Sequence, residues 1–544
     1  MLDNVWQAKR WPLTTGASAL LVMAGLAQAL SLAWPFEGAF KGAPQGWLQC
    51  LSLAIFARIL DRSHSAQQAF VKGWLFSLAW LIGCTWWLFI SMNRYGGLSS
   101  PLAALAVVSL AAGLALFYGT ASAVFYAVCK KGVDVFPRAC VFAAVWVLAE
   151  MVRGTLWTGF PWGAVGYAHV DSVLQHWAPW IGVYGLCALC AFIAMVIAAE
   201  RRGHGAVTRT TIIAVVLLVA VLGFTWVTSP SRTASDDHAS GKPLRVSLLQ
   251  GNIPQDLKFG GGVSRALHDY REALLSSDSD LVVTPETAIP LIPEQMPERY
   301  WGPLQSHFAK GTQAALIGLP LVKRNEDGHL QYSNSALGLM PQVTPASSAT
   351  YQYDKHHLVP FGEFVPPLFQ WFVRLMNIPL GDFTRGDVAQ PSLYWRGERI
   401  APNICYEDLF GEELARSFAD SENAPTLMVN LSNIAWFGDT VAIDQHLQIS
   451  RMRALELGRP MLRATNTGAT AIINAQGQVT HRLPSAVRGV LTADVYGAHG
   501  PVTPYARWVS VWGLWPLTGL ALLTLLAVAS MAHASRHGQR RFGP

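Results

Sequence analysis

The sequence predicts two structural materials in one chain: a polytopic α-helical membrane domain of eight spans and a water-exposed α/β domain. Three observations predict it. Only 14% of the 544 residues are charged and 51% are hydrophobic, whereas soluble domains carry roughly 25% charged residues. Apolar runs long enough to cross, or nearly cross, the ~30 Å hydrocarbon core recur along the chain. Charge is also split by region: residues 1–228 and 507–544 hold 18 Lys/Arg against 7 Asp/Glu, and residues 229–506 hold 22 against 27. These features exclude a wholly soluble enzyme and a disordered chain. They also argue against a nucleic-acid partner, because the basic excess lies in the hydrophobic part.

The apolar runs lie near 13–33, 44–60, 71–91, 102–129, 139–152, 174–198, 210–228 and 508–531. The fifth is the weakest, with about four helical turns and an internal Glu150. Lys and Arg in the flanks alternate at each crossing. Fourteen fall on one side (Lys9, Arg58 and Arg541 among them), and Lys41, Arg94 and Arg153 fall on the other. The positive-inside rule then puts both termini in the cytoplasm and the α/β domain outside, which in a bacterium is the periplasm. The predicted division is a membrane domain at 1–228 with seven helices, a Ser/Asp/Gly-rich linker at 229–242, the outer domain at 243–506, and a final span with a basic tail at 507–544. Ala27-Gln28-Ala29 resembles a signal-peptide cleavage site, but the apolar stretch continues to Ala33, which favours a retained anchor.

Within the outer domain, β-rich runs at 246–250, 281–284, 314–318, 334–339, 400–405, 427–430, 461–464 and 470–473 read as strands. Segments 265–276, 407–419 and 442–457 read as helices. This alternation predicts helices covering sheet faces. Segment 364–380 breaks the pattern. It is aromatic, holds Phe364, Trp371 and Phe372, and contains three prolines with Arg374 its only charge. It reads as a loop that touches the bilayer and gates the site, or else as a buried loop or core helix.

Six of the seven cysteines lie in or beside the spans, and Cys187 and Cys190 read as small packing residues there. Only Cys405 lies in the outer domain, where an oxidising compartment offers it no partner. A strand precedes it and a helical turn follows. That geometry exposes a side chain and aims backbone N–H groups at it, so Cys405 is a candidate nucleophile. The usual fate of a lone cysteine, burial in a core, is the competing reading.

A thiol that attacks an ester or amide needs a base and an oxyanion partner. The domain lacks G-x-S-x-G, H-E-x-x-H and a phosphate-binding loop. Thr284-Pro285-Glu286 instead puts a carboxylate at the end of a buried strand, and Tyr353-Asp354-Lys355 puts an ammonium before an apolar turn. Each feature alone is weak. Their order, Glu286 then Lys355 then Cys405, resembles the Glu-Lys-Cys triad of the nitrilase superfamily.

More closely, the chain resembles the bacterial apolipoprotein N-acyltransferases, membrane-embedded members of that superfamily. The resemblance rests on Gln250-Gly-Asn-Ile-Pro-Gln255, TPETA at 284–288, YDKHHLVPFGEFVP at 353–366, ICYE at 404–407, the string from AWFGD to RATNTG spanning 435–468, and Thr158-Gly-Phe-Pro-Trp162. It implies an αββα sandwich. It implies Glu286 as general base, Lys355 as oxyanion partner, Cys405 as acylated nucleophile, and Glu363 as support for the lysine. Asn334, Tyr406, Glu407 and Trp436 match further site positions. Two departures stand out. Phe259 occupies a position where Trp is common, and Ile434 a position where Asp is common, which puts any charged role at 434 in doubt.

The implied reaction is two-step. Cys405 takes an acyl chain from a membrane phospholipid, and the α-amino group of an N-terminal diacylglyceryl-cysteine on an apolipoprotein then receives it. No metal and no cofactor are implied. The alternative is a membrane-tethered amidase that uses water as acceptor. A non-enzymatic transporter or scaffold, with Glu150 and Arg153 as an intramembrane polar site, is the more distant rival.

Overall fold

The computed structural model describes residues 13–129, 133–198, 242–258, 261–341, 350–366 and 383–541, together with 216, 220 and 223. The chain divides into two compact units. One comprises Met1–Trp86, Ala104–Ser229 and Leu514–Pro544, the other Trp87–Ala103 and Pro230–Gly513.

The first unit is helical. Thr14 caps α1 (Thr15–Leu30) by accepting the Ala17 N–H at 3.3 Å. It is followed by α2 (Gly46–Asp61), α3 (Ala66–Thr85), α4 (Ser100–Val128), α5 (Val135–Thr155) and α6 (Ala178–Ala198). The last helix of the chain is Trp515–Arg541. Phe56 and Phe76 stack between α2 and α3 at 4.4 Å. A Cβ at Gly73 would lie 2.6 Å from the Tyr118 carbonyl oxygen, so the backbones of α3 and α4 approach closely, as at small-residue membrane interfaces. Cys187 and Cys190 are fully buried.

Among the described residues, four helices are long and apolar enough to cross a membrane: Ser100–Val128, Val135–Thr158, Val173–Ala198 and Trp515–Ala534. The run expected at 139–152 is therefore a full-length helix. α1 and α2 have 16 residues each, about 24 Å at 1.5 Å per residue. The run expected at 71–91 is broken: α3 ends at Thr85 and a second short helical stretch follows at Leu88–Tyr95, the two together being apolar and long enough to count as one broken span. The seventh expected span, 210–228, and the linker fall almost wholly outside the described residues. Glu150 and Arg153 pair with each other at 2.6 Å. Arg153 also donates to Tyr118 Oη at 2.8 Å and to the carbonyls of Phe160 and Trp162 at 2.5 and 2.8 Å. The pair thus holds the Thr158–Trp162 turn against α5.

The second unit is a two-sheet sandwich. β1 (Leu244–Gln250), β2 (Leu281–Val283), β3 (Ala314–Arg324), β4 (Leu330–Leu339) and β5 (Thr350–Asp354) lie in one sheet with β12 (Gly489–Val495), in the order β12-β1-β2-β3-β4-β5. β6 (Leu393–Trp395), β7 (Glu398–Ile404), β8 (Leu427–Ser432), β9 (Met461–Thr465), β10 (Ala471–Ile473) and β11 (Val479–Arg482) form the other, in the order β11-β10-β9-β8-β7-β6. The centres of both sheets are parallel, β1-β2-β3 and β7-β8-β9. Strands covered on both faces read as largely apolar runs, which makes them legible.

Val246, Leu248, Leu316, Ile404, Val429 and Leu462 share the core between the sheets. The outer face of the first sheet packs on α7 (Val263–Ser276) and α8 (Glu298–Lys310) through Leu274, Leu304 and Phe308. On the second sheet's side lies α9 (Ala442–Leu457), nearly all of it buried and ended by Gly458 in the left-handed conformation. The helix expected at 407–419 is corrected. It is a chain of short turns, Cys405–Leu409, Gly411–Leu414 and Ala415–Phe418, because Glu407 and Asp408 turn inward to bind other groups.

Candidate active site

The chemistry-bearing residues follow the carboxyl ends of strands. Glu286 follows β2, Lys355 follows β5, Cys405 follows β7 and Asn433 follows β8. This is where open parallel sheets place their sites. At the first position, Gly318 of β3 makes room for the Thr284-Pro285-Glu286 turn. A Cβ there would lie 2.2 Å from the Pro285 carbonyl oxygen. The Gly318 N–H donates to Thr284 Oγ1 at 2.9 Å, which fixes the turn to the sheet.

The structure brings Glu286, Lys355, Glu363 and Asn334 into one buried ring. The Lys355 ammonium donates to Glu286 Oε1 and to Glu363 Oε1, each at 3.0 Å. The Asn334 amide, from β4, donates to the same two atoms at 2.8 and 2.6 Å. Glu363 Oε2 also accepts the Val359 N–H at 2.8 Å, and Glu286 Oε2 accepts the Asn433 N–H at 2.9 Å. Lys355 has no solvent exposure. Burial works against its charge, but Glu286 and Glu363 outweigh it and hold the ammonium above the ordinary lysine range. Burial pushes Glu286 up; Lys355, Lys258 and the hydrogen bonds outweigh that and hold it below the ordinary carboxylate range.

Cys405 opens the turn after β7 at φ +55°, a backbone position that non-glycine residues rarely occupy and that clusters at functional sites. Its carbonyl lies 3.3 Å from both Asn430 Nδ2 and His446 Nε2. Its Sγ lies 3.5 Å from Ser432 Oγ. Burial, and then the Glu286 charge, push the thiol up to about 12, with Lys355, Ser432 and the Asn433 N–H opposing. The resting site is therefore thiol, carboxylate and ammonium.

Glu407 lies under the turn. It accepts the Ile404 and His356 N–H groups at 2.6 and 2.7 Å, the His357 N–H at 3.2 Å and the Tyr353 hydroxyl at 3.0 Å. The turns that carry Cys405 and Lys355 thus share one carboxylate. Tyr406 is buried, with its ring 5.6 Å from His357 and 5.2 Å from Phe410. Trp436 sits in the turn Ile434–Phe437, its ring edge-on to Tyr95 at 5.7 Å. Ile434 is buried, and a Cβ on Gly468 would lie 2.7 Å from its Cγ2, so this position serves packing. Phe364 closes a tight turn with Pro360 under the Arg385 guanidinium. Phe259, Trp371 and Phe372 lie outside the described residues.

Sequence reasoning missed several groups. Asn433 directly precedes the departure at Ile434 and carries no mark of its own in the sequence. It supplies the N–H on Glu286, and its amide donates to Gln255 Oε1 at 2.9 Å. Lys258, three residues beyond Gln255, donates to the Glu286 carbonyl at 3.1 Å. A buried network of Asp408, His446, Ser450 and Arg463 backs the Cys405 turn, with His446 Nε2 2.8 Å and Arg463 Nη1 3.1 Å from Asp408. The spacing of the motifs was the available signal. Asn466, in the RATNTG string, holds the loop after β1 through the Asn252 and Ile253 N–H groups, each at 2.9 Å.

Among the described residues no group of His, Cys, Asp or Glu is arranged to hold a metal ion. The arrangement can shuttle a proton between a thiol and a buried carboxylate beside a fixed cation. That suits acyl transfer through a thioester.

Two family models match the chain: an apolipoprotein N-acyltransferase N-terminal domain over residues 14–196 and a carbon-nitrogen hydrolase domain over residues 245–498. An apolipoprotein N-acyltransferase of Verminephrobacter eiseniae is 51% identical over 91% of this chain and 92% of its own length. One from Ralstonia nicotianae is 45% identical over 90% of each, and one from Bordetella bronchiseptica 39% identical over 96% and 97%. The apolar helices and the hydrolase region together mark a membrane-embedded enzyme. Alike in both domains and over nearly its whole length, the chain belongs to the apolipoprotein N-acyltransferase family.

Proposed function

We propose that the chain transfers an acyl group from a membrane phospholipid, through an S-acyl intermediate at Cys405, to the α-amino group of an N-terminal diacylglyceryl-cysteine on apolipoproteins. One observation carries this reading: a thiol at positive φ interacts electrostatically with a carboxylate and an ammonium that are locked together in a buried ring.

In the first half-reaction the Cys405 proton passes to Glu286 as sulfur attacks the ester carbonyl carbon. With the thiol pushed up to about 12, a free thiolate is scarce at neutral pH, so proton loss accompanies C–S bond formation. Lys355 faces the developing oxyanion. Collapse breaks the ester C–O bond, and the lysophospholipid oxygen leaves with the proton from Glu286. In the second half the neutral amine attacks the thioester carbon and gives a proton to Glu286. The amide forms, the C–S bond breaks and sulfur recovers its proton. Glu363, Asn334 and Glu407 hold the participants, and no cofactor is needed for the balance.

The positive-inside pattern supports eight spans in a bacterial inner membrane, both termini cytoplasmic and the catalytic domain periplasmic. Purified protein in phospholipid nanodiscs, given a diacylglyceryl-cysteine peptide, should produce an N-acylated peptide and lysophospholipid in equal amounts. Release of free fatty acid with an unmodified peptide would replace this reading by hydrolysis.

A further inference from the structure

The loop that follows β1 contributes a second buried cation to the site. Lys258 is 4% exposed, and its Nζ donates to the Glu286 main-chain carbonyl at 3.1 Å. The loop is held from two directions. Asn466 accepts the Asn252 and Ile253 N–H groups, and Gln255 accepts the Asn433 amide, whose backbone N–H in turn binds the Glu286 carboxylate. Lysine is seldom buried unless paired, and its ammonium is a compact charge that burial makes costly. A residue placed there for packing alone would be apolar.

We propose that Lys258 is a positioning residue of the acyl-transfer site: it fixes the Glu286 main chain and supplies a second cation to the Glu286–Cys405 pair. This rests on the reading of Cys405 as nucleophile. The charged or titratable groups facing Glu286 are Lys355, Lys258 and Cys405, with Glu363 joined through Asn334. For proton transfer, Glu286 and Cys405 must carry one negative charge between them, first on oxygen and then on sulfur. Lys258 interacts with both atoms' charges. It therefore favours the pair carrying that charge over the pair holding two protons. Two buried carboxylates against Lys355 alone would leave the ring one negative charge in excess; Lys258 brings the resting ring to neutrality.

Burial brings the Lys258 ammonium down to about 8, against the opposing pull of Glu286 and Cys405. This gives the test its signature. Lys258→Met and Lys258→Gln are compared with wild type for modification of Cys405 by a small soluble methanethiosulfonate, read on the Cys405 peptide by mass spectrometry from pH 6.5 to 9.5. Removing an opposite charge at this range moves thiol reactivity by about one pH unit, so both variants should react about tenfold more slowly than wild type near pH 7. The ratio should shrink toward one as pH rises through 8, because wild type loses the same charge there. A ratio of one throughout, or a deficit that stays constant with pH, overturns the proposal, the latter because it marks a structural role alone. If this pattern holds while phospholipid never acylates Cys405, the proposed function fails and the role of Lys258 stands.

Discussion

Lys355 and Glu286 form a buried ion pair, Nζ to Oε1 3.0 Å, with the lysine wholly removed from solvent. Removing one partner of such a pair typically costs about 3–5 kcal/mol, because the other charge is left buried alone. Here Lys355→Met takes the shared ammonium away from two carboxylates, Glu286 and Glu363. The variant should melt lower, and one carboxylate should take up a proton. Single-turnover S-acylation should fall by ~100-fold or more, the usual effect of losing an oxyanion partner. Normal acylation in Lys355→Met would remove the lysine from the mechanism.

Asn334 is the ring's other shared donor. Asn334→Asp replaces that amide with a third acid and adds like charge beside Glu286 and Glu363. The variant should hold an extra proton at neutral pH. Its S-acylation should be weak near pH 7 and recover as pH rises, whereas wild type shows no such recovery. A pH–rate profile of single-turnover acylation reads this directly, and an unchanged profile would show that the amide only fills space.

Stability should depend on pH with a definite sign. Glu286 and Asp408 are both held below the ordinary carboxylate range. In each, burial pushes up and is outweighed, by Lys355 and Lys258 at Glu286 and by His446 and Arg463 at Asp408. Their contribution is present above roughly pH 4.5 and is lost as pH falls through their lowered values. Glu407, pushed up to about 7 by burial, acts in the opposite sense, so its penalty eases as pH drops from 7 toward 5. The melting temperature should therefore be no lower at pH 5 than at pH 7 and should fall below about pH 4. A steady decline between 7 and 5 would contradict these environments.

Gly318 tests the packing beneath the Glu286 turn. An added methyl would lie 2.2 Å from the Pro285 carbonyl oxygen and 2.9 Å from Glu286 Cα. Overpacking of this kind costs about 1–3 kcal/mol, and relief must come from moving Glu286. Gly318→Ala should lose acylation more severely than stability. Full activity would mean that the turn shifts without disturbing the carboxylate.

The central strands and the candidate residues Glu286, Lys355 and Cys405 were legible because they leave local marks. β2 is wholly apolar and β1, β8 and β9 are mostly so, and Glu286, Lys355 and Cys405 each follow one strand. β12 was missed because only Val495 of its residues is buried at the sheet edge, so it carries no apolar run, and β6 because it has three residues. α8 carries Pro303 in its interior, which argues against a helix on sequence grounds. The helix expected at 407–419 failed because inward hydrogen bonds by Glu407 and Asp408 override local propensity. Lys258 left only its place three residues after the Gln250–Gln255 motif; the three-dimensional fold brings it to the carbonyl of Glu286.

Acyl transfer by this route requires covalent acylation of Cys405. The most direct measurement is the mass of the Cys405-containing peptide after the full-length protein is mixed with phospholipid and no acceptor. Wild type should carry one acyl group there, removable by hydroxylamine, and the Cys405→Ser protein should carry no thioester. An acyl group that maps to another residue, or lysophospholipid formation that persists in Cys405→Ser, would contradict the assignment.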